Sequence, residues 1–356
     1  MYDKLKRYKN KKVLITGNTG FKGAWLAIFL KELGAKVIGY SDKIKWKNAI
    51  FDYKTIMNIE QIWGDIRDYK KLKKTVLETE PDFIFHLAAQ PLVIEGLKNP
   101  FNTFTTNING TLNLIDIVSN HFKNTSLVIV TSDKVYQNLN EKNKKFSEHH
   151  SLDGNCPYSL SKVICELLSR SYSNVIDDIK IRTVRGGNVI GGGDWSQNRL
   201  VPDLVKSYIN KTTPVIRNPE HTRPWSYILD VIFGYLLVGI DIIGSNKKFD
   251  SYNIGAQSSE NKTVLEVTEG FLKSFGKKDF TVIKNNKYIE KEFLSLDTKK
   301  IRTNLLWYSI TDFNEVILQT SSWYKRVINN ESPYLVTREL TKNYCNQIFE
   351  RKKIYA

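Results

Sequence analysis

The sequence predicts an α/β fold with a doubly wound parallel sheet and a smaller C-terminal α/β region. Continuous apolar runs, which are typical of strands buried on both faces, alternate through the first half of the chain with segments whose apolar residues recur at helical spacing. The first strand leads through a glycine-rich loop at residues 16–23 into the first helix. Strand, loop and helix in this order are typical of sheets that hold phosphate groups at a helix N-terminus.

The same alternation places the individual elements. Strands are expected at residues 13–16, 36–41, 82–88, 126–132 and 181–186, and helices at residues 21–33, 69–78, 108–120 and 158–172. Beyond Gly186 the pattern changes to short elements with more Pro, Arg and Trp. We therefore expect a nucleotide-binding domain over residues 1–187, to which the chain returns around 225–256, and a mainly substrate-binding domain over 188–356.

The composition is that of an ordinary globular protein. The 356 residues carry a formal net charge of +16, but the lysines are scattered and no nucleic-acid-binding motif is present, so an anionic small substrate is favoured over a nucleic acid. The most apolar stretch, 228–243, contains two aspartates and is too short to span a bilayer. Three separated cysteines form no disulfide or metal pattern. With no signal segment visible, we expect a cytoplasmic protein without a metal.

The glycine loop reads TGNTGFKG, with the spacing G-x-x-G-x-x-G. Gly17 permits a tight turn, Gly20 lets the backbone approach a pyrophosphate, and Gly23 lets the helix pack close to the strand. A glycine-rich turn without a ligand is the alternative. The strand before the loop and the helix after it favour a Rossmann sheet that binds a nicotinamide dinucleotide.

Two aspartates are candidates for the adenosine end of such a cofactor. Asp42 follows the second strand at the distance expected for a ribose ligand, which favours NAD, although the neighbouring lysines at 43, 45 and 47 suit the 2′-phosphate of NADP. Asp65 ends the next strand and can accept from the adenine amino group. The alternative for Asp65 is a helix N-cap.

Tyr158 and Lys162 are four residues apart on a predicted helix, so their side chains share one face. An ammonium beside a phenol stabilises the phenolate, which predicts a lowered pKa for Tyr158 and a base for alcohol oxidation. Upstream, Ser132 can bind the same alcohol, and the adjacent Asp133 and Lys134 imply a second proton transfer at a neighbouring carbon. Ordinary polar turn residues at a strand end are the alternative for this cluster.

Small residues end the strand at 82–88, in the segment HLAAQ at 86–90, and would let a cofactor lie flat on the backbone. His86 is interpreted as a hydrogen-bonded core histidine and Asn107 as a residue that orients the loop. In the second half, arginines and a tryptophan indicate a site for phosphate and base, with a structural turn as the alternative for RPW at 223–225.

With these residues the chain resembles the extended short-chain dehydrogenase/reductases that act on nucleotide sugars, and among them the CDP-glucose 4,6-dehydratases. The resemblance covers residues 13–230, with a weaker match at 294–307. The motifs are TGFKGAW at 19–25, HLAAQPLV at 86–93, TSDK at 131–134, GNVIGGGDW at 187–195, RLVPD at 199–203 and IRNP at 216–219, followed by RPW. The chain departs from the usual pattern at Val135, at Cys156 and at residues 226–227.

The resemblance implies an internal redox cycle with NAD. Tyr158 takes the proton of the glucose 4-hydroxyl held by Ser132, Lys134 is the base at C5, and Asp133 is the acid at the leaving C6 hydroxyl, which gives a 4-keto-6-deoxy sugar. The implied cofactor residues are Gly17, Thr19, Gly20, Phe21, Gly23, Asp42, Asp65, Ile66, Leu87, Ala88, Ala89, Asn107, Tyr158 and Lys162. The implied substrate residues are Gln90, Asn188, Arg199, Leu200, Val201, Arg217, Arg223 and Trp225.

Three other functions remain open from the sequence. A 4-epimerase or decarboxylase of the same fold would not need Asp133 and Lys134 as acid and base, and a dehydratase can act on another nucleotide hexose. A cofactor-sensing binding protein would not need both Tyr158 and Lys162. Apolar positions on the helices at 108–120 and 158–172 predict a homodimer or homotetramer, by analogy with similar enzymes.

Overall fold

The computed structural model describes residues 2–122, 125–255, 262–283 and 291–355. The strands are β1 (Lys12–Thr16), β2 (Lys36–Ser41), β3 (Glu60–Trp63), β4 (Phe83–His86), β5 (Ser126–Val130), β6 (Lys180–Gly186), β7 (Val189–Ile190), β8 (Val215–Arg217), β9 (Thr222–Arg223), β10 (Ser226–Tyr227), β11 (Phe249–Ile254), β12 (Lys262–Thr263) and β13 (Thr281–Ile283). The α-helices are α1 (Tyr2–Leu5), α2 (Phe21–Glu32), α3 (Tyr69–Thr79), α4 (Val93–Lys98), α5 (Pro100–Phe104), α6 (Gly110–His121), α7 (Pro157–Val175), α8 (Leu200–Ile209), α9 (Ile228–Gly244), α10 (Val264–Ser274), α11 (Lys299–Leu305), α12 (Phe313–Ile328) and α13 (Pro333–Tyr355).

Seven strands form one parallel sheet in the order β11-β6-β5-β4-β1-β2-β3. Every neighbouring pair in it is parallel. The strand order reverses between β1 and β4, which makes the edge beyond their carboxyl ends a crevice. Ligands bind at this position in doubly wound sheets.

The strands alternate their side chains between two hydrophobic cores. Val13 and Ile15 of β1 belong to one core, with α2, α9 and α13. Leu14 belongs to the other, with residues of α3 and α6. Because both faces of the sheet are covered, its strands read as continuous apolar runs, and the predicted fold class is confirmed.

Most predicted bounds agree with the structure to within a few residues, and the differences have local causes. The strand predicted at 82–88 ends at His86, because Leu87 and the residues after it turn to line the cleft. The helix predicted from 108 begins at Gly110, after a π-helical turn over Thr105–Asn109. Helix α7 continues to Val175.

After β6 the chain contributes both to the sheet and to a smaller region beside it. Strand β11 pairs with β6, and α9 packs on the sheet. The pairs β8–β13, β9–β12 and β7–β10, together with α8, α10 and α12, form the smaller region. Residue 256, the end of the predicted return, lies outside the described residues, and the domain boundaries stay a prediction.

Helix α9 is buried along nearly its whole length and carries a buried carboxylate, Asp230. Asp230 accepts hydrogen bonds from the Tyr344 hydroxyl at 2.6 Å, the Ser309 hydroxyl at 2.8 Å and the Ile310 amide at 3.0 Å. The pKa of Asp230 is raised by burial, which these donors oppose. Asp230 therefore fixes α13 and the loop before α12 to α9 and, through α9, to the sheet.

Within the described ranges, no helix is long and apolar enough to cross a membrane.

The substitution Asp230→Ala should lower the free energy of unfolding by about 3 kcal/mol, because three buried donors lose their acceptor. Urea unfolding followed by circular dichroism measures the loss. Ser309→Ala is the matched control, since it removes one donor and should cost no more than about 1 kcal/mol. Equal losses in the two variants would contradict this account of Asp230.

Candidate active site

Two cavities lie beyond the carboxyl ends of the strands and meet at Tyr158. One, of about 440 Å³, runs from the glycine loop and Asp42 to Tyr158. The other, of about 360 Å³, extends from Tyr158 into the smaller region, past Arg217 and Trp225. Their volumes are those of small-molecule sites. Together they form one cleft, with a first cavity over the sheet and a second cavity under the smaller region.

The glycine loop has no room for side chains at two positions. Gly17 has φ +77°, and a Cβ atom there would lie 2.7 Å from the Ala88 amide nitrogen. A Cβ atom at Gly23 would lie 2.2 Å from the Gly17 carbonyl oxygen. The loop is thereby pressed between α2 and the end of β4, and the first residues of α2 line the first cavity. An anion is favoured at such a helix N-terminus.

Thirteen of the predicted cofactor residues line the first cavity. They are Gly17, Thr19, Gly20, Phe21, Gly23, Asp42, Asp65, Ile66, Leu87, Ala88, Ala89, Tyr158 and Lys162. Asn107 does not line it. Its buried side chain accepts from the Gln90 amide and donates to the Ser161 hydroxyl, both at 2.8 Å, so Asn107 joins the segment after β4 to α7.

The two aspartates at the far end of the first cavity differ in their contacts. The carboxylate of Asp65 accepts from the Arg67 guanidinium, with the shortest N–O distance 2.6 Å, and this pairing holds its pKa below the usual range. The N-cap alternative for Asp65 is wrong, since Asp68 caps α3 by accepting from the Lys71 amide. Asp42 is exposed, and its carboxylate accepts from the amide of Lys43.

Tyr158 and Lys162 lie on the buried face of α7, as their spacing predicts. The Lys162 ammonium donates to the Val130 carbonyl at 3.0 Å. The lowered pKa predicted for Tyr158 is wrong. Burial raises the pKa of Tyr158, and the nearby Ser132 hydroxyl and the charge of Arg199 only partly oppose it.

Asp133 and Lys134 follow β5 in a single 3₁₀ turn that Ser132 caps, since its hydroxyl accepts from the Lys134 amide at 3.2 Å. The Asp133 carboxylate is 2% exposed, and its Oδ2 has no hydrogen-bond partner among the described residues. The Lys134 ammonium lies 4.0 Å from Asp133 Oδ1 and is partly exposed. A buried carboxylate oxygen without a donor, facing a cleft, can accept from a ligand hydroxyl.

The predicted substrate residues of the second half all line the second cavity: Asn188, Arg199, Leu200, Val201, Arg217, Arg223 and Trp225. Arg199 pairs with Asp194 at 3.0 Å. Arg223 donates to the carbonyls of Thr222 and Glu292, and the Trp225 indole donates to the Lys262 carbonyl. RPW is thus a structural turn that also forms cavity wall, so the two alternatives do not exclude each other.

The structure also shows the surroundings of Gln90 and His86. Gln90 lines the first cavity, not the second. Its side-chain amide nitrogen donates hydrogen bonds to the Leu92 carbonyl and the Thr103 hydroxyl. His86 is a core residue whose ring nitrogens contact the hydroxyls of Thr16 and Thr111 at 2.7 and 3.0 Å. Burial lowers the pKa of His86 to about 3.

Sequence reasoning missed the buried ion pair beneath the site. Glu166 of α7 lies 2.8 Å from the Arg185 guanidinium, and its carboxylate also accepts from the hydroxyls of Thr131 and Thr183. Both charged side chains are less than 5% exposed. Glu166 follows Lys162 by one helical turn. That spacing places Glu166 on the same buried face of α7 and could have indicated a buried carboxylate from the sequence.

Lys22 was missed as well. It follows the glycine loop in the first turn of α2 and lines both cavities. The sequence feature that could have identified Lys22 is its position in the TGFKG motif. There a charged residue directly precedes Gly23, one of the glycines that press the loop against the sheet.

The fold and this cleft define a short-chain dehydrogenase/reductase of the extended type, with a Rossmann sheet and a tyrosine–lysine pair at its switch point. A family profile, "GDP-mannose 4,6 dehydratase", matches residues 14–320. The chain belongs to this family, and the resemblance inferred from the motifs is confirmed.

Among its relatives is the CDP-glucose 4,6-dehydratase of Salmonella typhimurium, which is 32% identical over 350 residues, 95% of this chain and 97% of that protein. The UDP-glucose 4-epimerase of Mycoplasma genitalium is 28% identical over 72% of this chain and 80% of that protein.

Solved structures share the fold. The dTDP-glucose 4,6-dehydratase of Bacillus anthracis, solved in complex with NAD, superposes with a TM-score of 0.77 at 21% identity, covering 92% of this chain and 99% of that one. The UDP-glucose 4-epimerase of Thermotoga maritima, solved with UDP-glucose, gives a TM-score of 0.79 at 20% identity, covering 89% and 99%.

Replacing Glu166 by Gln should lower the free energy of unfolding by about 3–5 kcal/mol, because Arg185 then stays buried without its counter-charge. Denaturant unfolding measures the loss. Glu32→Gln is the control: Glu32 pairs with Arg338 at a more exposed position, so its loss should stay below about 1 kcal/mol. If Glu166→Gln were no worse than Glu32→Gln, the buried pair would not stabilise the fold as described.

Proposed function

We propose that this protein is an NAD-dependent CDP-glucose 4,6-dehydratase that makes a 4-keto-6-deoxy sugar nucleotide. One observation carries the proposal: the acid–base pair Asp133 and Lys134 lies in the same cleft as Ser132, Tyr158 and Lys162. Alcohol oxidation needs only the last three. The additional acid and base fit elimination of water from the neighbouring carbons.

The first cavity fits NAD by its own features. The residues at the N-terminus of α2 line it, and the close contacts of Gly17 and Gly23 press the glycine loop against the end of β4. An anion such as a pyrophosphate is favoured at a helix N-terminus of this kind. Asp42 lies at the far end and can bind the ribose hydroxyls, which favours NAD over NADP. NAD, when bound, accepts a hydride from C4 of the sugar and returns it to C6.

Oxidation at C4 uses three side chains. Tyr158 takes the proton of the 4-hydroxyl, and Ser132, which lines the same cavity as Tyr158, holds the same oxygen. Lys162 fixes the end of β5 through the Val130 carbonyl and supplies positive charge beside the first cavity. Burial raises the pKa of Tyr158, and the positive charge of an oxidised nicotinamide ring beside it would favour the phenolate.

Elimination uses the two residues next to Ser132. The new 4-keto group acidifies the C5–H bond, and Lys134, when neutral, takes that proton. The C6–O bond breaks as Asp133 gives a proton to the departing hydroxyl, which leaves as water. Return of a hydride to C6 and of a proton to C5 would complete the 4-keto-6-deoxy sugar, which has lost one water overall.

The second cavity fits the nucleoside diphosphate part of the substrate. Arg199 and Arg217 line it and suit a diphosphate, and Trp225 offers an aromatic face to the base. Cytosine is favoured because the Salmonella typhimurium relative, named for CDP-glucose, covers nearly the whole chain.

A 4-epimerase of the same fold is the second candidate, supported by the Mycoplasma genitalium relative. An epimerase returns the hydride to C4 and moves no proton at C5 or C6. The pair of Asp133 and Lys134 beside Ser132 favours the dehydratase, because an epimerase has no step that needs this second acid and base.

The oligomeric state and location are also proposals. Leu160 and Leu167 of α7 are 38% and 46% exposed, and such residues favour association of copies through this helix. We propose a homodimer or homotetramer in the cytoplasm, which size-exclusion chromatography with light scattering and fractionation of cells would test.

Incubation with CDP-glucose should yield a product with the alkaline absorbance of a 4-keto sugar. A panel of CDP-, dTDP-, UDP- and GDP-hexoses, assayed for water loss by mass spectrometry, measures the preference for base and sugar. Water loss from another member of the panel would correct the substrate. Conversion of UDP-glucose to its 4-epimer without water loss would replace the dehydratase by the epimerase.

Two variants should block different steps. Tyr158→Phe lacks the base for C4 oxidation, so turnover should fall at least about 100-fold with no reduced cofactor formed. Asp133→Asn keeps that base but lacks the acid, so turnover should fall similarly while the near-ultraviolet absorbance of reduced nicotinamide rises after substrate is added. Undiminished turnover in Tyr158→Phe, or no reduced cofactor in Asp133→Asn, would contradict these roles.

A further inference from the structure

Lys22 lies where the two cavities meet. It is the second residue of α2, directly after the loop that faces the first cavity, and its side chain also lines the second. Its ammonium donates to the hydroxyl of Tyr235 at 3.4 Å, and Tyr235 is fully buried in α9. The lysine is thus held at the inner wall of the cleft.

Charged groups from several elements face this ammonium. Burial is the main cause that lowers the pKa of Lys22 to about 7, and the positive charges of Arg199 and Lys162 lower it further. Asp133 and Asp194 act in the opposite direction. The phenols that share the region, Tyr158 and Tyr235, have pKa values raised by burial.

The hydride-carrying ring of the cofactor has to lie at the same place. In the proposed function, the pyrophosphate lies at the N-terminus of α2 and the adenosine ribose near Asp42. The sugar carbon whose proton Tyr158 takes must touch the ring for a hydride to pass. Tyr158 lines both cavities, as Lys22 does, so the ring lies at their meeting point.

We propose that Lys22 is a charge-sensing residue of the cofactor site, whose ammonium favours the reduced, uncharged nicotinamide over the oxidised, positively charged ring. The inference rests on the proposed function. Hydride arrival removes the positive charge of the ring, so the repulsion of a neighbouring ammonium disappears. The Lys22 amine therefore takes up part of a proton from solvent while the hydride is held, and releases it when the hydride leaves.

The charge of Lys22 determines how the preference for the reduced ring changes with pH. Below the pKa of Lys22 the ammonium is charged and disfavours the oxidised ring, so the reduced form is preferred. Above that pKa the amine is neutral, and the preference is lost. A change of one pKa unit in Lys22 between the two cofactor states corresponds to a tenfold preference, or about 1.4 kcal/mol.

The test measures which cofactor form is bound, without turnover. The purified protein is equilibrated with mixtures of NAD and NADH at about pH 6 and about pH 9, on either side of the Lys22 pKa. The bound ratio is then determined by chromatography of the released nucleotides. In the unaltered protein, the preference for NADH should be roughly tenfold stronger at the lower pH.

Three variants test whether Lys22 is the group responsible for the pH-dependent preference. Lys22→Met has no charge, so its bound ratio should change little with pH. Lys22→Arg keeps its charge at both pH values, so its preference for NADH should persist at the higher pH. Lys45→Met is the matched control, because Lys45 lines only the first cavity, near Asp42, and its loss should leave the pH dependence intact. Circular dichroism checks that each variant is folded.

The outcomes separate the role of Lys22 from the proposed function. A pH-dependent preference that survives in folded Lys22→Met would assign the effect to another group, such as Lys162, and overturn the role of Lys22. That role would also be overturned if Lys45→Met removed the preference as fully as Lys22→Met does. If the unaltered protein binds neither nucleotide, the proposed function itself fails.

Discussion

The buried pair of Glu166 and Arg185 is the interaction on which the rest of the cleft depends. It joins α7, which carries Tyr158 and Lys162, to β6, and through Thr131 it also holds the end of β5, from which Ser132 follows. A buried ion pair stabilises a fold only when its remaining hydrogen bonds are made. Thr131 and Thr183 complete the hydrogen bonds of the Glu166 carboxylate, so this one group joins the segment after β5 to β6 and α7.

Burial has opposite effects on the acids and amines of this cleft. It raises the pKa of Tyr158 and lowers the pKa values of Lys22 and Lys162, so burial favours the uncharged form of the phenol and of both amines. The charges of bound ligands then decide which groups ionise. A site of this kind changes its protonation on binding, while an exposed tyrosine–lysine pair would keep its ordinary values.

The fold was predictable because the central strands are buried on both faces, as β1 and β2 illustrate, and because the first helix, α2, follows a glycine loop. The residues of the glycine loop and the first cavity were predictable because their spacing is local. Asn107 was misplaced and Glu166 missed, because their partners, Gln90 and Arg185, are distant in sequence and adjacent only in the folded chain. The pKa of Tyr158 was mispredicted because a spacing of four residues shows a neighbour but not burial.

The hydrogen bond between Tyr344 and Asp230 has a consequence for biosynthesis. Helix α13 packs on α2, the helix of the glycine loop, and closes the core beneath it. During translation, α2 leaves the ribosome long before α13 exists, so the apolar surface of α2 that α13 covers is exposed at first. That surface is covered only once α13 has been synthesised, and the nascent chain holds exposed apolar surface until then.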